Sequence, residues 1–97
     1  MINAVIDWLL ECFGDEIRTI HELKTWPANF EPLLAKTKRA EVRRNDRDFQ
    51  TGDWLLLREW DPATQTYTGR QAFREITHIQ PGGAFGLPED LCVLSVA

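Results

Sequence analysis

The sequence predicts a small α+β domain: a curled, mostly antiparallel sheet or barrel of about five strands with flanking helices. Three observations carry that expectation. The chain has 97 residues, enough for one domain with a single modest core. Short runs rich in apolar or alternating residues recur over 20–25, 39–44, 54–60, 71–79 and 91–96, separated by turn formers. Helical spacing appears only twice, before the first run and between the first and second.

Ile2, Val5, Ile6, Leu9 and Phe13 recur at helical spacing, with Asp7 and Glu11 off that stripe. Asn3 suits the cap and Gly14 the stop, so 1–16 is expected to be an N-terminal helix ahead of a domain spanning 17–97. Trp8 and Leu10 broaden the apolar arc. The helix then packs within its own subunit or serves a homodimer or another protein partner. In the run 20–25, His21, Leu23 and Thr25 share one face, and Glu22 and Lys24 the other. Trp26-Pro27 opens a second helix, since proline is favoured at the first helical position. Phe30, Leu33 and Leu34 form its buried stripe, and Pro32, which lacks an N–H, is expected to split or kink it.

The next run, 39–44, sets Glu41 and Arg43 on one face and Val42 on the other. That suits a strand with one face in the core and one lining a surface or cleft. Asn45-Asp46-Arg47-Asp48 supplies turn formers, Phe49 an apolar anchor, and Gly52-Asp53 a second turn. The run 54–60 is the most apolar and the expected centre of the core. The polar loop 61–66 ends with Tyr67-Thr68-Gly69-Arg70, and a long strand follows through Ile79, with Phe73 and Ile79 on one side and Ala72 and Ile76 on the other. The loop Pro81-Gly82-Gly83-Ala84-Phe85-Gly86 is glycine-rich and flexible but lacks the GK[ST] ending of a phosphate loop. Leu91-Cys92-Val93-Leu94-Ser95-Val96 closes as a buried strand.

No stretch approaches ~18 consecutive apolar residues, so no membrane span is expected. The N-terminus lacks the basic region of a secretory signal, and Asp7 interrupts its apolar run. Cys12 and Cys92 lie far apart without a CxxC partner. They read as buried thiols in a reducing cytoplasm rather than as metal ligands, and no cofactor is expected.

Charge distribution points to a site. The chain carries a formal −4, which argues against non-specific coating of nucleic acid over the whole surface. Yet six of its eleven basic side chains fall between Lys36 and Arg47. Concentrated like charge is costly unless a ligand or nearby acids answer it. A solvated hairpin in which Glu41 and Asp46 pair with local arginines is one answer, and an anionic ligand is the other.

Four groups of residues together resemble the ASCH superfamily: His21-Glu22-Leu23-Lys24, Lys38-x-x-Glu41-x-Arg43, Asn45-Asp46-Arg47-x-Phe49-x-x-Gly52-Asp53 and Tyr67-Thr68-Gly69-Arg70. The likeness covers about residues 20–96 and is nearest to a bacterial and phage branch of unknown function with a PUA-like fold. It implies a compact β-barrel flanked by helices, with a cleft beside the GxKxxExR-type motif. It also implies an RNA-binding or RNA-modification role, a few members being small amidohydrolases acting on acetylated cytidine. Lys36 stands where the motif usually opens with glycine, and Glu41 stands where those amidohydrolases carry a threonine nucleophile. A carboxylate does not replace a hydroxyl in the same acyl transfer.

Three functions follow as expectations. The leading one is an RNA-binding module, with RNA or a modified nucleotide as partner. Lys38, Arg43, Arg44 and Arg47 would meet phosphates, Lys24 and Glu41 would line the cleft, and Trp26, Phe49 or Tyr67 could stack on an unpaired base, although core packing for Trp26 and Phe49 and a loop hydrogen bond for Tyr67 are the first expectation for each taken singly. His21 and Asp46 are expected around the same concavity, and Arg70 completes the binding set. The second is a hydrolase of a modified nucleoside, with Lys24 or Lys38 activating a nucleophile and Glu41 moving protons. The third is a protein-interaction domain.

Overall fold

The computed structural model describes residues 18–97. The helix expected over 1–16, and Cys12 with it, lies outside the described residues. Strand β1 is Ile20–Thr25, helix α1 Pro27–Leu34, β2 Ala40–Arg44, β3 Trp54–Asp61, β4 Thr66–Pro81 and β5 Leu91–Val96. The five strands form one mixed sheet in the order β1-β3-β4-β5-β2. β1 runs parallel to β3, and the other three pairings are antiparallel.

Alternation explains the core. Leu23 from β1, Leu55 and Leu57 from β3, Ile76 from β4, and Cys92, Leu94 and Val96 from β5 point inward, joined by Leu33 and Phe49. Each fully buried side chain of this size is worth about 1.5–3 kcal/mol relative to exposure. Phe73 and Ile79 were expected on one side of β4, opposite Ile76, but a bulge separates them. Ile76 pairs with Val96 and His78 with Ser95, so Thr77 is an extra residue. The bulge flips the later alternation and brings Ile79 onto the core while Phe73 stays 44% exposed.

Helix α1 starts where expected. Trp26 takes extended dihedrals before Pro27, and its carbonyl accepts from the Asn29 and Phe30 N–H groups. Two expectations for this helix are corrected. It runs unbroken through Pro32, which sits near its C-terminus and forgoes only the N–H it would have returned to Ala28. Leu34 is 45% exposed, because Phe30 and Leu33 already take the face turned to the sheet and the helix ends there. Lys36 follows in the left-handed conformation, φ 63°, which helix ends usually reserve for glycine.

The two edge strands meet across a seam. Nη2 of Arg43, on β2, donates to the Lys24 carbonyl on β1 at 2.9 Å. Nη1 of Arg47 donates to the Glu22 carbonyl at 2.6 Å. The sheet curls until its edges face one another, and guanidinium groups satisfy edge carbonyls that a closed barrel would have paired with backbone N–H groups. The sheet therefore stays open, short of the closed alternative. None of the described helices is long and apolar enough to cross a membrane.

Candidate functional site

The seam widens into a cleft of about 370 Å³. β1 brings Lys24 and Thr25 to it, the start of α1 brings Trp26 and Asn29, and β2 brings Glu41, Val42 and Arg43. Lys38, from the connector between α1 and β2, completes the lining. The pairing of β2 with β5 sets which side chains turn inward. Glu41 lies opposite the buried Leu94, so Glu41 is itself only 4% exposed, whereas Val42 is 57% exposed. The inward face of β2 is thus the charged one, and the valine is the solvent-facing residue.

Both oxygens of Glu41 are engaged. Oε1 accepts from Lys38 Nζ at 2.7 Å and Oε2 from Arg43 Nε at 3.0 Å. Lys38 also donates to the Ala40 carbonyl, and Arg43 reaches the Thr25 hydroxyl at 3.3 Å. One buried carboxylate thus orients two cations, and the lining carries three cations against one anion. Lys24 Nζ sits 4.0 Å from the centre of the Trp60 ring and 5.9 Å from that of Tyr67, which also packs under Arg58. Trp26 is 57% exposed at the mouth. Such a surface offers anion affinity, donors and an aromatic face within one ligand's reach.

Of the residues singled out by sequence, Lys24, Trp26, Lys38, Glu41 and Arg43 share this cleft. Arg44, Asp46 and Arg47 border a smaller hollow of about 130 Å³, with Arg43 common to both. His21 is elsewhere. It is 7% exposed, its Nε2 donates to Asp53 Oδ2 at 2.8 Å, and its ring meets Phe49 edge-on at 4.7 Å. Asp53 also accepts from the Gln50 N–H at 3.0 Å, so His21, Phe49 and the Gly52-Asp53 turn form one packing unit. That unit accounts for four of the motif residues without a ligand, and the buried Phe49 presents no ring for stacking.

Arg70 also has an internal task. Its Nε and Nη2 grip the two oxygens of buried Glu59 at 2.9 and 2.8 Å, and Nη2 also meets Glu31. The Thr68 hydroxyl donates to Glu59 at 2.7 Å. The Arg70 and Thr68 hydrogen bonds hold the Glu59 carboxyl down to about 2 from an ordinary 4.5, and Arg70 is raised in turn by Glu59 and Glu31. Thr68-Gly69-Arg70 is therefore a clamp on an inward carboxylate rather than part of the cleft. Burial, with a contribution from Asp46, raises the thiol of Cys92.

Sequence reasoning did not find Thr25, Asn29 or Val42 in the cleft. Asn29 follows Trp26 by one helical turn, a spacing that places it beside the tryptophan once the helix start is known. No such signal was available for Val42, which reads as a core residue.

A family model described as "Domain of unknown function (DUF3850)" matches residues 20–96, the whole described sheet. A protein of Escherichia phage P2, described as "Uncharacterized 12.9 kDa protein in GpA 3'region", is 40% identical over 60 residues. The match takes in 62% of this chain and 53% of the phage protein, so the chain spans about half the length of that relative.

Proposed function

The chain belongs to the DUF3850 domain family, and we propose that it is a small RNA-binding module of the ASCH type, on a PUA-like curled sheet. It takes an unpaired nucleotide into the cleft between β1, α1 and β2. One observation carries this reading: exposed Trp26 stands over a cleft in which buried Glu41 holds Lys38 and Arg43 in fixed positions. The aromatic face suits a base, Asn29 and Lys24 offer donors, and the surplus positive charge suits the attached phosphates. A volume of about 370 Å³ falls in the range of about 300–1,000 Å³ usual for small-ligand sites. The module acts where RNA and reduced thiols coexist, in the cytoplasm.

Binding fits this site better than hydrolysis. Both Glu41 oxygens are already spent on ion pairs, and the Thr25 hydroxyl is buried against Arg43. Neither group is poised as a nucleophile or as its base.

The test is fluorescence anisotropy with a randomised single-stranded RNA pool at several salt concentrations. The wild-type chain should bind with an affinity that falls as salt rises, and Trp26→Ala should weaken binding at least several-fold while leaving the salt slope unchanged. Absence of binding at low salt and micromolar protein rejects the proposal. Turnover of an acetylated nucleoside would instead favour the hydrolase, and a stable heterologous complex without RNA would favour a protein-interaction role.

A further inference from the structure

A second hollow, of about 280 Å³, adjoins the cleft through Lys38. Lys36 and Arg39 come to it from the segment before β2, Arg74 from β4, and Val96 and Ala97 complete its lining. Among the described residues no acidic side chain lines it. Its arginines differ from most others in the described residues. Arg18, Arg43, Arg58 and Arg70 each pair with a carboxylate within hydrogen-bond distance. Arg39 and Arg74 are instead held by neutral carbonyls. Nε of Arg39 donates to Lys36 O at 3.1 Å, and Arg74 donates to Phe73 O at 2.6 Å and Leu33 O at 2.9 Å. These bonds orient the guanidinium groups without cancelling their charge, and each leaves N–H donors over. The Lys36 ammonium has no ion-pair or hydrogen-bond partner among the described residues.

We propose that this hollow is a phosphate subsite, taking the phosphodiester group next to the nucleotide held in the cleft. The inference rests on the RNA-binding reading and extends it. Lys38 stands between the two hollows, with its ammonium on Glu41 on one side. A base in the cleft and its phosphate beside Arg39 and Arg74 therefore lie on either side of one lysine. Two pre-oriented guanidinium groups match the planar, two-oxygen recognition that phosphate invites. Their anchoring carbonyls belong to the end of α1, the following turn and β4, so the subsite is assembled by the fold rather than by a run of sequence.

The experiment uses the full chain and the same randomised single-stranded RNA. The double variant Arg39→Gln with Arg74→Gln should make the salt slope shallower by about 1.4, two phosphate contacts at about 0.7 each, with base preference unchanged. Arg74→Lys keeps the charge and loses the tether to α1, so it should retain most of the wild-type slope. That variant separates charge from folding. Binding with the wild-type slope in the double variant would overturn the subsite while leaving the cleft proposal standing. If the wild type binds no RNA, the function proposed above fails, and inorganic pyrophosphate then tests the hollow alone. Saturable shifts of the Arg39 and Arg74 Nε–H resonances would support an anion site there, and their absence would overturn it.

Discussion

Glu41 illustrates how one side chain sets the chemistry of the cleft. Its burial would be costly were its charge not answered, and Lys38 and Arg43 answer it from opposite sides. Glu41→Gln removes the charge but keeps one acceptor. We expect a loss of about 1–3 kcal/mol in stability, read from urea unfolding, because two charged hydrogen bonds weaken. RNA binding should weaken with base preference unchanged, because both Glu41 oxygens serve the cations they position rather than a base. A change of base preference would show that Glu41 reads the base itself and would reject that division of roles. Glu59 gives a pH prediction of the opposite kind, structural rather than functional. Its folded pKa is depressed to about 2 from 4.5, so the folded state binds its proton less readily than the unfolded chain. The Glu59–Arg70 contribution to stability is therefore complete above about pH 4.5 and is lost as pH falls toward 2. Glu59→Gln should flatten the acid limb of a stability–pH curve within that window. An unchanged limb would reject the clamp.

At the scale of elements, the turn after α1 carries a cost. Lys36 holds φ 63°, a region that costs an L-residue on the order of 1–2 kcal/mol relative to its usual conformations. Lys36→Gly should relieve part of that cost and raise the urea midpoint by the equivalent of about 0.5–1 kcal/mol, glycine also being the freer residue when unfolded. The same variant should weaken RNA binding, because the phosphate hollow loses a cation. Stabilisation and weakened binding in one variant would show a residue kept for a ligand at the expense of the fold. A fall in stability would mean that the lysine packs favourably despite its backbone. Gly82 is different. A Cβ there would run into the backbone oxygens of Pro88 and Leu91, so the turn before β5 accepts only glycine.

Across the whole molecule, charge and seam are one feature. The six basic residues of 36–47 do not form a uniform patch. Arg43 and Arg47 stitch the two sheet edges, Lys38 serves Glu41, and the Arg44 side chain has no hydrogen-bond or ion-pair partner among the described residues. Arg44→Ala should therefore lower RNA affinity and make the salt slope shallower by about 0.7 without altering stability. Arg47→Ala should do the same and also cost about 0.5–1.5 kcal/mol, because the Glu22 carbonyl at the edge of β1 loses its donor. Anisotropy against salt and urea unfolding on both variants test the pair. Equal stability in the two would mean that the seam is held by Arg43 alone.

The sequence alone determined the elements and their inward faces wherever the evidence was local. Alternation in 20–25, the apolar runs at 54–60 and 91–96, the Trp26-Pro27 helix start and the turn formers at 45–53 are all short-range signals, and these elements appeared where those signals placed them. Convergence of Lys24, Lys38, Glu41 and Arg43 was also legible, through the spacing of residues on one strand face and the motifs that carry the resemblance. Tertiary structure decided the rest. Which face of β2 turned inward depended on its register with β5, a pairing some fifty residues away that no local pattern encodes. The bulge at Thr77 reversed the alternation of β4, because one inserted residue exchanges the two faces of a strand. The parting of Arg39 and Arg74 from the carboxylate-paired arginines was likewise invisible in composition. It depends on which carbonyls the curled sheet brings within reach, and only the folded chain fixes those distances.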